Sequence, residues 1–206
     1  MPSGFRQRLL PLALGALLYA PMAVQAVPAS APALESQARD FLGHGQDYAR
    51  HQQWQAAIAL YKNALDINPA LADAHFLLGV AYQQQDRAQA SAAALRKAGQ
   101  LNPRSARTFY NLGVAYANTG EMAKEIAAYR RALQLDPDHI SAHYNLATAY
   151  WAQGKDKKAS EELFQAGRLY VRAGYRSQAR EMLHLIQRIA PRSPYRQRLA
   201  KALQGE

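Results

Sequence analysis

Histidine is the residue type with the clearest potential for chemistry, because the sequence contains six histidines and no cysteine. The absence of cysteine excludes disulfide bonds and thiolate catalysis. His139 and His143 are four residues apart, a spacing that can place two imidazoles on one helix face to bind a metal ion. His139, however, precedes the expected start of a helix, and no third ligand is evident. We therefore expect no metal site.

Catalytic motifs are also missing from the sequence. It contains no GxSxG nucleophile elbow, no phosphate-binding loop and no HExxH motif. Asp136 and Asp138 flank Pro137 in a predicted turn, so we interpret them as capping residues near a helix start and not as an acid/base pair. The sequence predicts no catalytic residue, no cofactor and no enzymatic activity.

The residues that recur along the chain indicate an array of repeats. Asn-Pro or Asp-Pro dipeptides place Pro69, Pro103 and Pro137 at intervals of 34 residues. Alanine, leucine and glutamine, which favour helix, are abundant, whereas valine and isoleucine are few. A period of this length predicts supersecondary units that stack on one another. The same period relates Gly45, Gly79 and Gly113; Tyr48, Tyr82 and Tyr116; and Ala64, Ala98 and Ala132.

Each unit is predicted to contain two amphipathic helices. In one unit the helices are expected over 106–119 and 122–134, with Gly120 in the turn, where a positive φ is tolerated. Pro137 follows the second helix and stops it. Gly113 removes a side chain where the two helices cross, so we interpret the recurring glycine as a packing residue. One pair cannot bury its apolar face alone, whereas stacked pairs form a continuous core.

These positions resemble the tetratricopeptide repeat (TPR) family, whose 34-residue pattern combines a large residue, Leu-Gly, Tyr, a small Ala, an aromatic residue and Pro. The resemblance covers most of the chain after the N-terminal segment. It implies an all-α fold, a right-handed α-solenoid of TPR helix pairs. The expected units are 38–71, 72–105, 106–139 and 140–173.

The fourth unit is degenerate. It lacks the closing proline, and a second match to the pattern starts at Ser160, 20 residues after the start of the unit. We infer that one helix, over about 156–173, is both the second helix of unit four and the first helix of a fifth pair, 160–193. A last helix over 194–206, with Ser193 as its N-cap, is expected to cap the end of the array.

Glu125 departs from the repeat pattern. The equivalent positions of the other units carry the small residues Ala57, Ser91 and Ala159. A carboxylate at such a tight crossing needs either a basic partner or a route to water. Both options stay open, and we assign no role to Glu125.

The resemblance implies a partner-binding groove, because the first helix of each TPR pair usually lines the concave surface. The inward positions form a mostly aromatic row with asparagines beside it. Aromatic rings bury a large area and asparagine both donates and accepts hydrogen bonds, which suits an extended peptide or a partner helix. The alternative, that these side chains only contact the next repeat, stays open. The candidate groove residues are Leu42, Gln46, Phe76, Val80, Arg107, Tyr110, Asn111, Val114, Asn118, Tyr144, Asn145, Thr148 and Trp151.

A carboxylate clamp of the kind that some TPR proteins use is not expected. The corresponding positions here carry Leu42, Gln46, Leu77, Arg107 and Asn111. Of these, only Arg107 and Asn111 have side chains that suit a carboxylate.

The charge distribution indicates a second candidate surface. Residues 155–206 contain 12 lysines and arginines against 5 acidic residues, whereas residues 27–154 contain 11 against 10. Such asymmetry favours a negative partner, namely an acidic protein face, anionic lipid or lipopolysaccharide. The export signal at the N-terminus, described next, argues against nucleic acid as the partner. The alternative is that the basic residues only form a solvated face. The candidate residues are Lys157, Lys158, Arg168, Arg172, Arg176 and Arg180.

The N-terminal segment has the pattern of a bacterial export signal. Two arginines precede the apolar stretch 9–19, and small residues at Val24 and Ala26 are typical of a cleavage site. We expect a signal peptide over 1–26, a linker over 27–37 and a periplasmic location. The alternative is an uncleaved N-terminus in a secreted or membrane-associated protein.

The sequence therefore predicts a non-enzymatic TPR scaffold that binds a protein or peptide partner in its concave groove, in a bacterial envelope, secretion or pilus assembly system. The alternative is an envelope-surface accessory protein that binds anionic lipid, polysaccharide or an acidic partner through its basic C-terminal region. The sequence predicts no oligomeric state.

Overall fold

Within residues 30–205, the part of the chain that this computed structural model describes, the protein forms ten α-helices and no strand. The expected signal peptide lies outside the described residues. None of the helices within residues 30–205 combines the length and the hydrophobicity of a membrane-spanning segment. In chain order the helices are α1 (Ala31–Arg50), α2 (Trp54–Ile67), α3 (Ala72–Gln83), α4 (Ala88–Leu101), α5 (Ala106–Asn118), α6 (Met122–Leu135), α7 (Ile140–Ala152), α8 (Asp156–Arg172), α9 (Arg176–Ile189) and α10 (Pro194–Gln204).

The helices stack as an all-α solenoid in which each one packs against the next along the chain. The first helices of the early pairs also lie side by side, since α3 contacts both α1 and α5. Within each of the first three pairs, a glycine of the first helix faces a large side chain of the second. A Cβ at Gly45 would lie 2.5 Å from the Tyr61 ring, so only glycine allows this close approach. Tyr61 is 1% exposed as a result.

Side-chain hydrogen bonds cap the N-termini of three helices, α5, α7 and α10. The Ser105 hydroxyl accepts a hydrogen bond from the Thr108 N–H at 3.2 Å and caps α5. The predicted capping role of the two aspartates is only partly right. The Asp136 carboxylate accepts from the Asp138 N–H at 3.2 Å and closes the turn, whereas His139 is the residue that caps α7.

The C-terminal part of the array is built around α8. This helix packs against α7 on one side and α9 on the other, and α10 lies across both α8 and α9. Leu199 of α10 is fully buried, and a Cβ at Gly167 would lie 2.6 Å from it. The Tyr195 ring stacks on Phe164 of α8 at a centroid distance of 5.3 Å. Helix α10 thus covers the apolar end of the stack.

The linker expected over 27–37 is wrong over most of its length, because α1 begins at Ala31. Pro32 lies in the first turn, where its missing N–H would have no partner in any case and its fixed φ suits a helix. The residues that follow are mostly good helix formers, so the helix runs without a break into the first repeat.

Glu125 has no basic partner among residues 30–205 and is half-buried near the start of α6. Its carboxylate is not among the buried polar groups that lack a hydrogen bond, so it reaches water. Burial raises the pKa of the Glu125 carboxyl. Of the two options that the sequence left open, this geometry matches the route to water.

Candidate partner-binding groove

The predicted groove residues lie on α1, α3, α5 and α7, along the face on which these first helices adjoin. At the N-terminal end, side chains of α1, α3 and α5 surround an open hollow of about 410 Å³. Four predicted residues line it: Leu42, Gln46, Phe76 and Arg107. Arg39, Gly43, Asp73 and Leu77, which were not among the predicted site residues, complete this N-terminal hollow.

Phe76 does not offer a free aromatic surface in this hollow. The Arg107 guanidinium lies 4.2 Å from the centroid of the Phe76 ring, a cation–π contact, and Phe76 is only 8% exposed. A partner would therefore meet the Arg107 side chain before it met the ring. The apolar row predicted from the repeats is interrupted at this point by a charge.

The middle of the groove is more closed than the sequence suggests. The Tyr110 ring is half-buried, 4.5 Å from the His139 ring and 6.0 Å from the Tyr129 ring. Val114 is half-buried against the same cluster. Asn118 is exposed, near Gln83 at the end of α3. Val80 is half-buried against the adjoining core.

The asparagine side chains are partly used inside the protein. The Asn111 amide donates to the Arg107 carbonyl at 2.8 Å, and the Asn111 backbone carbonyl accepts from Gln83 Nε2 at 2.9 Å. The Asn145 amide donates to the Tyr129 hydroxyl at 3.4 Å. The Asn111 contact lies within its own helix and the Asn145 contact is to the preceding repeat, so neither is the contact with the next repeat that the sequence left open.

The C-terminal end of the groove contains its most exposed aromatic surface. Tyr144 is 39% exposed and Trp151 is 49% exposed, one on each side of Thr148 on α7. These side chains and those of Leu185, Arg188 and Ile189 on α9 enclose a mostly apolar C-terminal hollow of about 100 Å³, with Ala147 and Leu163 at its base. Sequence reasoning missed the contribution of α9, because the fifth pair was treated only as the end of the stack.

The predicted basic residues are all exposed but do not act as one group. Arg172 forms an ion pair with Asp138 at 2.6 Å, and Arg176 donates to the Leu203 carbonyl at 3.1 Å. The Lys158 ammonium lies 5.4 Å from the Tyr150 ring centroid. Arg180 lies beside the C-terminal hollow with His184 and Arg188. The two remaining members are Lys157, near the turn between α9 and α10, and Arg168 on α8.

The two histidines with metal-compatible spacing are engaged elsewhere. His139 Nδ1 accepts from the Ala142 N–H at 3.3 Å, whereas His143 Nδ1 lies 2.6 Å from the Glu162 carboxylate. His143 Nε2 lies 3.0 Å from the Pro137 carbonyl. No group of three potential metal ligands occurs within residues 30–205.

The contact between His143 and Glu162 changes the protonation of the His143 imidazole. Burial lowers the pKa of His143, but hydrogen bonds to Glu162 and to the Pro137 carbonyl outweigh this effect and leave the pKa above its ordinary value. The His143 and Glu162 side chains are only 12% and 20% exposed, so water screens the pair weakly.

Comparison with known proteins agrees with this architecture. One family model described as "TPR repeat" matches residues 45–86 and 126–154, and a second, "Tetratricopeptide repeat", matches 72–105 and 106–139. Together these matches span 45–154 without a gap. No curated protein matches the chain.

Solved structures with the same fold include several proteins called MamA. One crystal structure of MamA is 26% identical, with a TM-score of 0.65, over 70% of this chain and 88% of that chain. MamA from Desulfovibrio magneticus RS-1 is 23% identical, with a TM-score of 0.62, over 68% and 78%. The first TPR of Spaghetti (RPAP3), bound to the HSP90 peptide SRMEEVD, is 19% identical, with a TM-score of 0.57, over 58% and 94%.

A solenoid of stacked helix pairs with a surface groove is a protein-interaction scaffold, a class that is typically non-catalytic. The chain belongs to the tetratricopeptide repeat family.

Proposed function

We propose that this protein is a bacterial envelope scaffold that holds a protein or peptide segment along the groove of α1, α3, α5 and α7. The observation that carries the proposal is the C-terminal hollow, where Tyr144 and Trp151 leave a large aromatic area open to solvent. Exposed aromatic surface beside polar groups is typical of recognition sites. The peptide-bound TPR structure among the relatives in fold is in line with this reading.

The envelope location rests on the sequence of the N-terminal segment. Its basic start, short apolar stretch and small residues before position 27 support export and a periplasmic location. A secretion or pilus assembly system is one setting in which such a scaffold would act. A fusion of residues 1–26 to a periplasm-dependent reporter tests this directly, and a fusion that remains cytoplasmic would contradict it.

The second candidate function is binding of anionic lipid, polysaccharide or an acidic partner through the basic C-terminal region. The excess of 12 basic over 5 acidic residues in 155–206 favours it. Exposed charges are screened by salt, whereas apolar contacts are not. Binding that persists in about 1 M salt, where the screening length is roughly 3 Å, favours the groove. Binding that disappears favours the basic region.

The test of the groove is a pull-down from envelope extract with Tyr144→Ser/Trp151→Ser as the variant. Both side chains are substantially exposed, so the double variant should fold and yet lose the partner. Tyr48→Ser/Tyr175→Ser is the matched control, because it removes two exposed aromatic residues of similar accessibility, 43% and 56%, outside the C-terminal hollow. Equal recovery of the partner by both variants would rule out the C-terminal hollow as the site of capture.

Broader changes in the groove give a second variant. Changing Tyr110, Asn111, Tyr144 and Asn145 to alanine should also abolish capture. Because Tyr110 packs on Tyr129 and His139, this variant is expected to lose some stability as well. Its circular dichroism spectrum and urea midpoint must therefore be measured beside the capture.

A further inference from the structure

The C-terminal hollow continues into a second, more open one along α9. The second hollow, of about 480 Å³, is lined by Arg180, Glu181, His184, Leu185 and Arg188, with Ser177 at its outer edge. Leu185 and Arg188 line both spaces, so the two form one continuous surface. An apolar recess between α7 and α9 thus opens directly onto a basic rim, defined here as Arg180, His184 and Arg188.

The recess has the size and lining for an apolar side chain. Its volume of about 100 Å³ is several times the roughly 10–15 Å³ that one ordered water requires. Tyr144, Trp151, Leu185 and Ile189 line it, together with Arg188. A bulky apolar residue of a partner would bury its own surface together with the exposed faces of Tyr144 and Trp151.

The two arginines of the basic rim form no ion pair within residues 30–205. No carboxylate of these residues lies within 4.0 Å of the Arg180 or Arg188 guanidinium. Glu181 is the one acidic side chain that lines the surface. Arg172 differs, because Asp138 already neutralises it. The rim is therefore the part of the basic C-terminal region that is placed to meet an external carboxylate beside an apolar recess.

We propose that this surface binds an acidic protein segment, with a bulky apolar side chain in the recess and carboxylates on Arg188 and Arg180. The inference rests on the proposed groove function and names the partner class. Arg180 and Arg188 are two helical turns apart, about 12 Å at 1.5 Å per residue. An extended segment covers that distance in about four residues, at roughly 3.3 Å each. The expected ligand thus has two acidic positions about four residues apart, the nearer one adjacent to the apolar anchor.

An acidic protein segment suits this geometry better than a lipid surface does. A flat bilayer would need many free cations on one plane, whereas Arg172 is paired with Asp138 and Arg176 donates to the Leu203 carbonyl. A recess between two helices accepts one projecting side chain. Guanidinium groups bind carboxylates with two parallel hydrogen bonds, which favours discrete acidic residues.

The experiment uses Trp151 as its reporter. The chain contains two tryptophans, and Trp54 packs in the separate core around Tyr61, so Trp54→Phe leaves Trp151 as the only tryptophan. Excitation at the long-wavelength edge, where tyrosine does not absorb, then reports on Trp151 alone. Random dodecapeptides displayed on phage are selected on the purified protein and then titrated into the Trp54→Phe variant. The selected peptides should be enriched in Asp and Glu near a bulky apolar residue and should shift the Trp151 emission to shorter wavelength.

Charge reversal distinguishes binding at the basic rim from a general effect of the net charge of the protein. Arg180→Glu/Arg188→Glu should weaken peptide binding by at least about tenfold, because it replaces two attractive contacts with repulsive ones. Lys62→Glu/Lys97→Glu makes the same change in net charge at exposed positions of α2 and α4, and binding should stay within about twofold. Selection on the Arg180→Glu/Arg188→Glu variant should enrich Lys and Arg instead.

Other outcomes overturn the inference in recognisable ways. Peptides that shift Trp151 emission but lack acidic enrichment, or that ignore the arginine reversal, would sink the acidic partner class and leave the groove function standing. Selected peptides that bind Tyr144→Ser/Trp151→Ser as tightly as the unchanged protein would rule out both the acidic partner class and binding at the C-terminal hollow. A selection without binders would do the same. If the binding of phosphatidylglycerol vesicles depends on Arg180 and Arg188 and the binding of peptides does not, the basic rim is a lipid-binding site.

Discussion

One backbone position per repeat requires a left-handed residue at the turn between the paired helices. Gly120, Gly154 and Gly174 adopt positive φ values there, of 73°, 68° and 81°. The equivalent positions in the first two units are Gln52 and Asp86, with φ values of 58° and 54°. Non-glycine residues are strained in this region, although aspartate tolerates it better than glutamine. The first two turns therefore carry a local cost that the later ones avoid.

Gln52→Gly is expected to raise the free energy of unfolding by about 0.5–1 kcal/mol. Relief of the left-handed strain is worth roughly 1–2 kcal/mol, and the greater freedom of glycine in the unfolded chain offsets part of it. Asp86→Gly should gain less, because aspartate is more at ease with a positive φ. Urea unfolding followed by circular dichroism gives the three values. A loss of stability in Gln52→Gly would contradict the turn geometry.

His143 lies between two acceptors, the Glu162 carboxylate on α8 and the Pro137 carbonyl before α7. Only the protonated imidazole can donate to both. Arg168 opposes this charge, but the pKa is still raised in the folded state. The resulting stability is fully present below the unfolded pKa of about 6.5, and it is lost as the pH rises through the folded pKa.

His143→Gln should therefore cost most at acidic pH and progressively less as the pH rises. The measurement is the difference in unfolding free energy between the protein and the variant, by urea titration from about pH 5.5 to about pH 9, which spans the histidine range. Glu162→Gln should flatten the dependence, since it removes the main acceptor of the charge. A difference that grows with pH would mean that the neutral imidazole is the stabilised form.

Helix α8 shows what the repeat pattern can predict and what it cannot. The 20-residue shift in register indicated a helix over about 156–173, and the structure has Asp156–Arg172. Predicted helices over 106–119 and 122–134 compare with Ala106–Asn118 and Met122–Leu135. These boundaries follow from local signals such as Gly120 and Pro137. The all-α fold class is confirmed for the same reason, because packing positions recur with a fixed period.

The missed features depend on contacts between helices that are not equivalent in the array. The N-terminal extension of α1 was not predicted because Pro, Ala and Ser are compatible with both a linker and a first helical turn. The contribution of α9 to the groove was not predicted because α9 approaches Tyr144 and Trp151 only as a result of the register shift. The cation–π contact between Arg107 and Phe76 could likewise not be predicted from the repeat period. Arg180, His184 and Arg188, spaced by four residues, were the signal that could have revealed the basic rim.

Leu199 is the element-scale test of the capping helix. It is fully buried against Gly167 and the α8–α9 pair, so Leu199→Ala should lower the free energy of unfolding by about 2–4 kcal/mol. Leu203, one turn later, is only half-buried and serves as the control, with an expected loss of about 1 kcal/mol for Leu203→Ala. Equal losses for the two variants, measured by urea unfolding, would mean that α10 does not close the stack through Leu199.

At the scale of the whole molecule, stability in a stacked array depends on how many neighbours each helix has. Residues 31–37 at the start of α1 are all exposed, whereas α8 contains seven buried residues and contacts three other helices. The C-terminal hollow lies between α7 and α9, both packed on α8. The aromatic side chains of this hollow are therefore held by the best-supported part of the array, and the expected result is a preformed site.

Amide hydrogen exchange should reveal this gradient. We expect the fastest exchange at the N-terminal turns of α1 and the slowest in α8, because local opening is easiest where few apolar contacts are broken. A selected peptide should add protection in α7 and α9, which enclose the recess, and little in α2 and α4, which lie outside it. Mass spectrometry of peptic fragments, with and without the peptide, provides the comparison. Protection added mainly in α1 and α3 would move the binding site to the N-terminal hollow, and uniform exchange along the chain would contradict the stacked-neighbour account.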